Sequence, residues 1–267
     1  MSWKKFADHR DRVTSFSGGW TIGGETMLHG YSIHSQLIHE TSWMQSMVLA
    51  VTGRLYPKNE CDFIESLFIV TGYPDPRLWC NRVAALAGNA RCTSAASLAI
   101  GISSAEARVY GRQADYHAAC IIRDSNRIYR QQGKEALIAH IDAILEEHRF
   151  IYGFGRPLTR VEERIAPSDQ VAEKLGIEAG EHLETACLIA EHLKKWRIIM
   201  NYGGYLMSRL LDMGFVPKEI HRLLALIFHV GVLPCYIEAF ENEPGTFLPI
   251  ACEDILYEGR DARELPV

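Results

Sequence analysis

Apolar side chains recur at helical spacing along most of this 267-residue chain, and this pattern constrains its fold more than any other feature. In the segment from Lys134 to His148, Leu137, Ile141 and Ile144 fall on one stripe, as on the buried side of an amphipathic helix. Strand-like residues are confined to a glycine-rich stretch, Thr14 to Leu28, which predicts one small hairpin or extended arm. The sequence therefore predicts an all-α protein.

Capping residues and prolines predict where several helices begin and end. Asn59 is a candidate N-cap for a helix that reaches Val70. The segment from His182 to Asp212 is interpreted as one helix. The most apolar stretch, from Leu223 to Phe240, is too interrupted by polar residues, glycine and proline for a membrane span. We interpret it as a buried core helix that ends near Pro234, because proline breaks helices.

Charge and cysteine usage exclude several classes of function. A net charge of -5 and a pI near 6.1 give no electrostatic reason to expect nucleic acid or a membrane surface as partner. The seven cysteines are dispersed without a C-x-x-C pair, which is typical of reduced thiols in a cytoplasm and argues against a structural metal site. The polar N-terminus is unlike a secretory signal. We expect a cytoplasmic protein that binds no metal.

Three separated stretches of the chain resemble the citrate synthase superfamily. Residues 27–67 contain GYSI and GRLYP, in register with an N-terminal motif of that family. Residues 153–165 read GFGRPLTRVEERI and are similar to the family loop GFGHRVYKxxDPRA. Residues 201–259 contain MG, VG and LYxG, similar to AMG, TVGW and LYTG. The stretches follow the family's order over most of the chain, whose length is closer to that of citryl-CoA lyase-type members.

The resemblance implies a fold, an assembly and a chemistry. It implies a large helical domain from residues 1–117 and 208–267, and a smaller inserted helical domain, 118–207, that carries the GFG loop. The active site would lie in a cleft between the two, in a homodimer. The family makes or breaks a carbon–carbon bond between an acyl-CoA and a 2-oxo acid. Coenzyme A would thus be bound as a thioester substrate, with no tightly bound cofactor.

The sequence departs from the family at its usual catalytic residues. The histidine that follows GFG is replaced by Arg156, whose guanidinium cannot act as a general acid or base. The family aspartate, ten positions before MG, falls on Gly203, so the usual proton-abstracting base is absent. The best match to the family's GPLHG, residues 110–114, has no histidine, and His117 follows three positions later.

Seven residues make up the predicted site. Arg156 would stabilise negative charge, while His117 or Asp115 would move the proton. Structural roles remain open for each: a simple turn for the glycines, carboxylate pairing for the arginines, helix packing for the histidine and a helix N-cap for the aspartate. The predicted catalytic residues are His117, Arg156 and Asp115, and the predicted coenzyme A-binding residues are Gly153, Phe154, Gly155 and Arg164.

Three functions are compatible with these departures. Ordinary citrate synthesis is not expected, because two carboxylate-binding arginines of the family fall on Phe228 and on residues 251–254, which contain no arginine. The first hypothesis is an acyl-CoA lyase or altered synthase with a non-standard catalytic set. The second is a catalytically silent relative that binds a CoA ester or a partner protein. The third is a different acyl-CoA reaction, such as thioester hydrolysis.

Overall fold

The computed structural model of this chain describes residues 3–8, 10–11, 13–109, 111–156, 159–246 and 251–265. Three residues of the sequence motifs, Tyr110, Pro157 and Leu158, lie outside the described residues. Helices dominate, which confirms the all-α prediction. The α-helices of the described part are α1 (Trp3–Asp8), α2 (Ile38–Glu40), α3 (Trp43–Thr52), α4 (Lys58–Thr71), α5 (Trp79–Asn89), α6 (Ser94–Ser104), α7 (Arg112–Gln132), α8 (Lys134–His148), α9 (Ile165–Leu175), α10 (Glu181–Leu193), α11 (Tyr202–Asp212), α12 (Pro217–Leu223) and α13 (His229–Glu241).

A small antiparallel sheet precedes the main helices. Its strands are β1 (Gly18–Trp20), β2 (Thr26–Leu28) and β3 (Tyr31–Ser32), in that order across the sheet. Gly18 pairs with Leu28, and Met27 pairs with Ser32. The predicted hairpin therefore forms, and a third short strand extends it.

The chain divides into two compact units. The first unit comprises Met1–Tyr73 and Ala105–Val230, and the second comprises Pro74–Ser104 and Gly231–Val267. The core of the first unit surrounds α11, where Tyr205 and Met207 are almost completely buried. Residues 118–207 belong to the first unit together with the segments on either side of them. The small domain predicted for residues 118–207 therefore stays a prediction.

Small residues explain the close packing within the second unit. A side chain at Gly101 of α6 would lie 2.7 Å from Val232 and 3.2 Å from Ala84. Only glycine leaves room for α5 and α13 at this point. The alanine- and serine-rich run that begins at Val83 thus forms two helices, α5 and α6, as its composition indicates.

Two helix starts in the first half of the chain show how local chemistry sets the boundaries. Ser42 begins α3 with a capping box that includes Gln45, and Gly53 ends it in the left-handed conformation, as its position in the sequence predicts. The predicted N-cap of α4 was wrong. The helix begins at Lys58 after Pro57, so Asn59 lies inside its first turn.

The predicted single helix from His182 to Asp212 was also wrong. A 3₁₀ turn follows α10, Arg197 adopts a left-handed conformation with φ 59°, and the chain restarts as α11. Asn201 caps this second helix by accepting a hydrogen bond from the Gly204 backbone N–H. The break matters because it brings residues 198–204 against the GFG loop.

The apolar stretch near the C-terminus differs from its prediction as well. α13 does not end near Pro234 but continues through it to Glu241. In length and composition, Pro217–Glu241 would suffice to cross a membrane, yet 44% of its most apolar window is buried inside the molecule. Partly buried core helices of water-soluble proteins share this composition.

Candidate active site

The GFG loop packs its backbone directly on the start of α11. Gly153 and Gly155 both have φ +86°, in the region that favours glycine. A side chain at Gly153 would lie 3.0 Å from the Cα of Gly204, and one at Gly204 would overlap the carbonyl oxygen of Gly153. Both positions therefore require glycine for packing within the chain, whatever ligand the loop binds.

Hydrogen bonds from the segment before α11 fix this loop. The Gly155 N–H donates to the carbonyl oxygen of Ile199 at 2.6 Å, and the Asn201 N–H donates to that of Gly153 at 3.1 Å. The Asn201 side-chain amide donates to the carbonyl oxygen of Gly155 at 2.9 Å. Phe154 lies buried between them at 7% exposure. The loop is thus a rigid part of the first unit.

The carboxyl group of Asp115 occupies the space above Gly203. Gly111 is the N-cap of α7, so Asp115 lies just inside the first turn of that helix and does not cap it. A side-chain carbon placed on Gly203 would lie only 2.9 Å from Asp115 Oδ1. In the family motif, the catalytic aspartate falls at the position that Gly203 occupies here. The structure therefore places a carboxylate from another helix, that of Asp115, next to this position.

This carboxyl group has unusual electrostatics. Desolvation by the surrounding protein raises the pKa of Asp115 from 3.8 to about 6, although the nearby charges of Arg112 and Arg164 act to lower it. The residue is partly exposed, and the described residues give its carboxyl group no hydrogen bond. An unpaired carboxylate that titrates near neutral pH is suited to accept and return a proton.

Arg112 lies one helical turn before Asp115 and is 8% exposed. Its Nη1 pairs with Glu106 Oε2 at 2.9 Å, and its Nη2 donates to the carbonyl oxygen of His221 at 2.7 Å. The third donor, Nε, is buried without a partner. Buried donors are nearly always satisfied, so this N–H is an exception within the structure.

The two arginines that the sequence singled out are paired with glutamates. Arg164 binds Glu162 through two hydrogen bonds, of 2.7 and 2.9 Å, and lies over the ring of Tyr202. Arg156 contacts Glu163 at 2.5 Å and the carbonyl oxygen of Val161 at 2.6 Å. The Arg156 hydrogen bond lowers the pKa of Glu163 to about 2. Both Arg156 and Arg164 thus form ion pairs with carboxylates, which the sequence had left open as an alternative to ligand binding.

His117 faces a different part of the molecule from Asp115. It is exposed, and its ring stacks on that of Tyr152 at 5.0 Å. Residues two apart on a helix are related by a rotation of about 200° around its axis, so their side chains point to nearly opposite sides. His117 borders a cavity of about 420 Å³ whose other lining residues are Arg108, Ile121, Ile144, His148, Phe150 and Tyr152. The structure therefore does not bring the three predicted catalytic residues to one point.

Sequence reasoning missed two members of this site. Arg112 was not considered, although it lies within residues 110–114, the match to the family's GPLHG. Glu162 was not among the predicted site residues, yet it is 3% exposed in its side chain and accepts the Tyr202 N–H at 2.9 Å. The described residues contain no cluster of His, Cys, Asp and Glu that would hold a metal ion.

Comparison with solved structures identifies the fold. Citryl-CoA lyase from Hydrogenobacter thermophilus matches with a TM-score of 0.78 and 20% identity, covering 95% of this chain and 97% of the lyase. Methanosaeta concilii ATP citrate lyase in complex with (3S)-citryl-CoA matches with a TM-score of 0.75 and 17% identity, covering 97% of this chain. This chain spans only 44% of that larger enzyme.

A citrate synthase from Thermoplasma acidophilum, in a complex with carboxymethyl coenzyme A and oxaloacetate, matches 85% of this chain with a TM-score of 0.64 and 17% identity. No protein-family profile and no curated protein sequence matches the chain. The chain thus has the citrate synthase-like fold, and the resemblance seen in three short motifs is confirmed for the fold.

Proposed function

We propose that this chain is an enzyme that makes or breaks a carbon–carbon bond beside the thioester of an acyl-CoA, with Asp115 as its proton-transfer group. One observation carries the proposal. The carboxyl group of Asp115 has no partner among the described residues and lies over Gly203, where the family resemblance expects a catalytic aspartate. In this proposal Asp115 of α7 supplies the carboxylate that the family resemblance expects at Gly203 of α11.

The proposed chemistry uses the raised pKa of this group. At neutral pH a carboxyl group with a pKa near 6 is mostly ionised yet more basic than an ordinary aspartate. Asp115 removes a proton from the carbon next to the thioester carbonyl, and the electron pair moves to the carbonyl oxygen to form an enolate. The enolate carbon then attacks the carbonyl carbon of a second substrate. The reverse sequence cleaves the bond.

The buried guanidinium of Arg112 supports this step. It lies one turn from Asp115 and keeps one N–H without an acceptor. A positive group beside a developing enolate lowers its energy in a low-dielectric site. Arg112, through its unpaired Nε–H, therefore takes the charge-stabilising role that the sequence predicted for Arg156.

The cavity beside His117 supports binding of the nucleotide portion of coenzyme A. It adjoins the GFG loop and combines the rings of Phe150 and Tyr152 with the cation Arg108. Aromatic rings stack on purines, and arginine binds phosphate. In this proposal His117 is a binding residue, and the GFG loop, residues 153–155, borders the ligand.

Solved relatives of the same fold bind related compounds. The ATP citrate lyase was solved with (3S)-citryl-CoA and the citrate synthase with carboxymethyl coenzyme A and oxaloacetate. Their ligands support an acyl-CoA as the first substrate of this chain. The identity of the carbonyl compound, expected from the resemblance to be a 2-oxo acid, stays a prediction.

Exchange of α-protons tests the proposal without knowledge of the second substrate. Acetyl-CoA is incubated with the protein in deuterated buffer, and deuterium uptake is followed by mass spectrometry. We expect exchange by the wild type and a loss of about 10²–10⁴-fold in Asp115→Asn. The matched control is Asp124→Asn, on the same helix, where the aspartate forms an exposed ion pair with Arg123.

Calorimetric titration with coenzyme A and acetyl-CoA distinguishes the alternative. Binding without exchange in the wild type would identify a catalytically silent CoA-ester-binding protein. Neither binding nor exchange would contradict the proposal altogether. CoA release without exchange would instead indicate thioester hydrolysis.

We also propose a cytoplasmic homodimer, as expected from the resemblance. Helices of the second unit carry exposed apolar side chains, among them Leu86, Ile100, Leu233 and Ile237 at 38–47% exposure. Apolar surface of this kind is typical of subunit contacts. The thiols of Cys61, Cys80, Cys92, Cys120, Cys187 and Cys235 are free. Light scattering after size-exclusion chromatography checks the dimer, and a monomer at micromolar concentration would contradict it.

A further inference from the structure

We infer that the second substrate of this site is an uncharged aldehyde or ketone and not a 2-oxo acid. The inference rests on the proposed function and narrows it. The two cations whose charges act on Asp115, Arg112 and Arg164, are each already bound to a glutamate of this chain. A carboxylate beside the reacting carbonyl needs a guanidinium that is free to bind it.

The ion pair between Arg164 and Glu162 resists opening. Two parallel hydrogen bonds join the groups, and Glu162 is 3% exposed in its side chain. The same carboxylate accepts the backbone N–H of Tyr202 and so anchors the start of α11. If Arg164 turned to a substrate, a buried carboxylate would lose both hydrogen bonds from its nearest cation, which strongly disfavours the exchange.

Arg112 is held in the same manner from the other side. Glu106 binds its Nη1, and the carbonyl oxygen of His221 binds its Nη2. Its Nε–H is buried without a partner. This N–H suits one carbonyl or enolate oxygen, whereas a carboxylate is held best by two parallel donors of the same guanidinium, and both Nη atoms of Arg112 already have acceptors.

Arg156, which follows the GFG loop, is also paired: Glu163 binds it, and Glu162 lies 3.6 Å away. The three guanidinium groups of Arg112, Arg156 and Arg164 are thus matched by three glutamates. Ionised Asp115 then leaves the group with a net negative charge. A substrate with its own carboxylate would meet repulsion from Asp115 without a compensating cation among Arg112, Arg156 and Arg164, whereas an uncharged carbonyl compound would not.

The corresponding reaction balances without further reagents. With acetyl-CoA and acetaldehyde, Asp115 takes one α-proton and the enolate carbon bonds to the aldehyde carbon. The carbonyl electron pair moves to the aldehyde oxygen, which then takes the proton. The product is a 3-hydroxyacyl-CoA, and the thioester remains intact.

Matched acceptors test the inference. Acetaldehyde and glyoxylate share a reactive aldehyde, and only glyoxylate carries a carboxylate. Each is supplied with acetyl-CoA, and the CoA ester product is measured by mass spectrometry. We expect a kcat/KM for acetaldehyde at least tenfold above that for glyoxylate. The exchange assay is run in parallel, so that loss of the enolising activity itself is recognised separately.

A charge-neutralising variant tests the cause. Glu163 is 63% exposed in its side chain, and Glu163→Gln would remove the carboxylate that binds Arg156 directly. We expect the ratio of glyoxylate to acetaldehyde kcat/KM to rise roughly tenfold, because a freed guanidinium binds the carboxylate. Glu173→Gln is the matched control, since it removes the same charge from an exposed position on α9 and should leave the ratio unchanged.

The outcomes separate the inference from the proposed function. Wild-type preference for glyoxylate would overturn the inference and leave the function standing. Exchange without condensation of either acceptor would also overturn it. Absence of exchange would remove the proposed function on which it rests. Preference for acetaldehyde, together with the shift in Glu163→Gln, is the result that we expect.

Discussion

Two aspartates in this protein each fill the space above a glycine of another segment, and they differ in what surrounds them. Asp212 lies over Gly180, where a side-chain carbon would be 2.5 Å from its carboxyl carbon. Asp115 lies over Gly203 in the same manner. In both places a glycine makes room for a carboxylate from a different helix.

Their hydrogen bonding separates them. Asp212 accepts the backbone N–H groups of Gly180, His182 and Leu183 at 2.7–3.1 Å, and it contacts the His182 ring at 2.9 Å. It caps α10 and neutralises the positive end of that helix. Asp115 receives no hydrogen bond from the described residues, and burial raises its pKa. A satisfied carboxylate stabilises the fold, whereas an unsatisfied one costs stability and is free for chemistry.

Removal of the two carboxylates should change stability in opposite directions, and Asp212 gives the larger effect. Asp212→Ala leaves three backbone N–H groups of α10 without an acceptor. We expect it to lower the free energy of unfolding by roughly 2–4 kcal/mol. Urea denaturation at pH 7 measures this. A loss below 1 kcal/mol would show that water replaces the cap easily.

Asp115→Asn should stabilise the protein at pH 7 by roughly 2–3 kcal/mol. The native pKa is raised, so the native state holds the proton more tightly than the unfolded state. The wild type therefore loses stability as pH rises from about 4 through about 6. The gain in the variant should accordingly be absent at pH 4 and complete by pH 7. Stability curves of both proteins at several pH values check this, and a pH-independent gain would contradict the raised pKa.

Alanine at the two glycines should sharpen the same contrast. Gly180→Ala pushes the Asp212 carboxylate away from the start of α10, and we expect a loss of about 1–3 kcal/mol. Gly203→Ala displaces the carboxyl group of Asp115, which holds no hydrogen bond to the described residues, and places the added carbon 3.1 Å from Asn201 Oδ1. Its stability should change by less than about 1 kcal/mol, while α-proton exchange falls at least tenfold. Unchanged α-proton exchange in a folded Gly203→Ala protein would contradict the role assigned to Asp115.

The smallest expected effect concerns Arg112. The charge of Arg112 lowers the pKa of Asp115 and so opposes the effect of desolvation. Arg112→Met should therefore raise the pH midpoint of α-proton exchange by several tenths of a unit to about one unit. Arg209→Met, which breaks a pair with Asp169 away from Asp115, is the control and should leave the midpoint in place. An unchanged midpoint in Arg112→Met would mean that Glu106 screens the arginine fully.

The sequence predicts the fold better than the site, for a physical reason. Helical periodicity and caps are local, so α8 and the left-handed end of α3 at Gly53 follow from neighbouring residues. The break after α10 depends on the loop that packs there and was missed. Asp115 and Gly203 are far apart in the chain, and no local pattern reveals that they meet. The sequence could show that the family aspartate is missing, but only the packing of α7 on α11 shows what stands in its place.

The pKa of Asp115 tests the account most directly, because its measurement needs no substrate. The protein is labelled with ¹³C at the aspartate carboxyl carbons, and their chemical shifts are followed by NMR from pH 3 to pH 8. Comparison with Asp115→Asn assigns the resonance. We expect this carboxyl group to titrate at about pH 6. A midpoint near 4, as for an ordinary aspartate, would contradict the claim that an unpartnered carboxylate has been kept here for proton transfer.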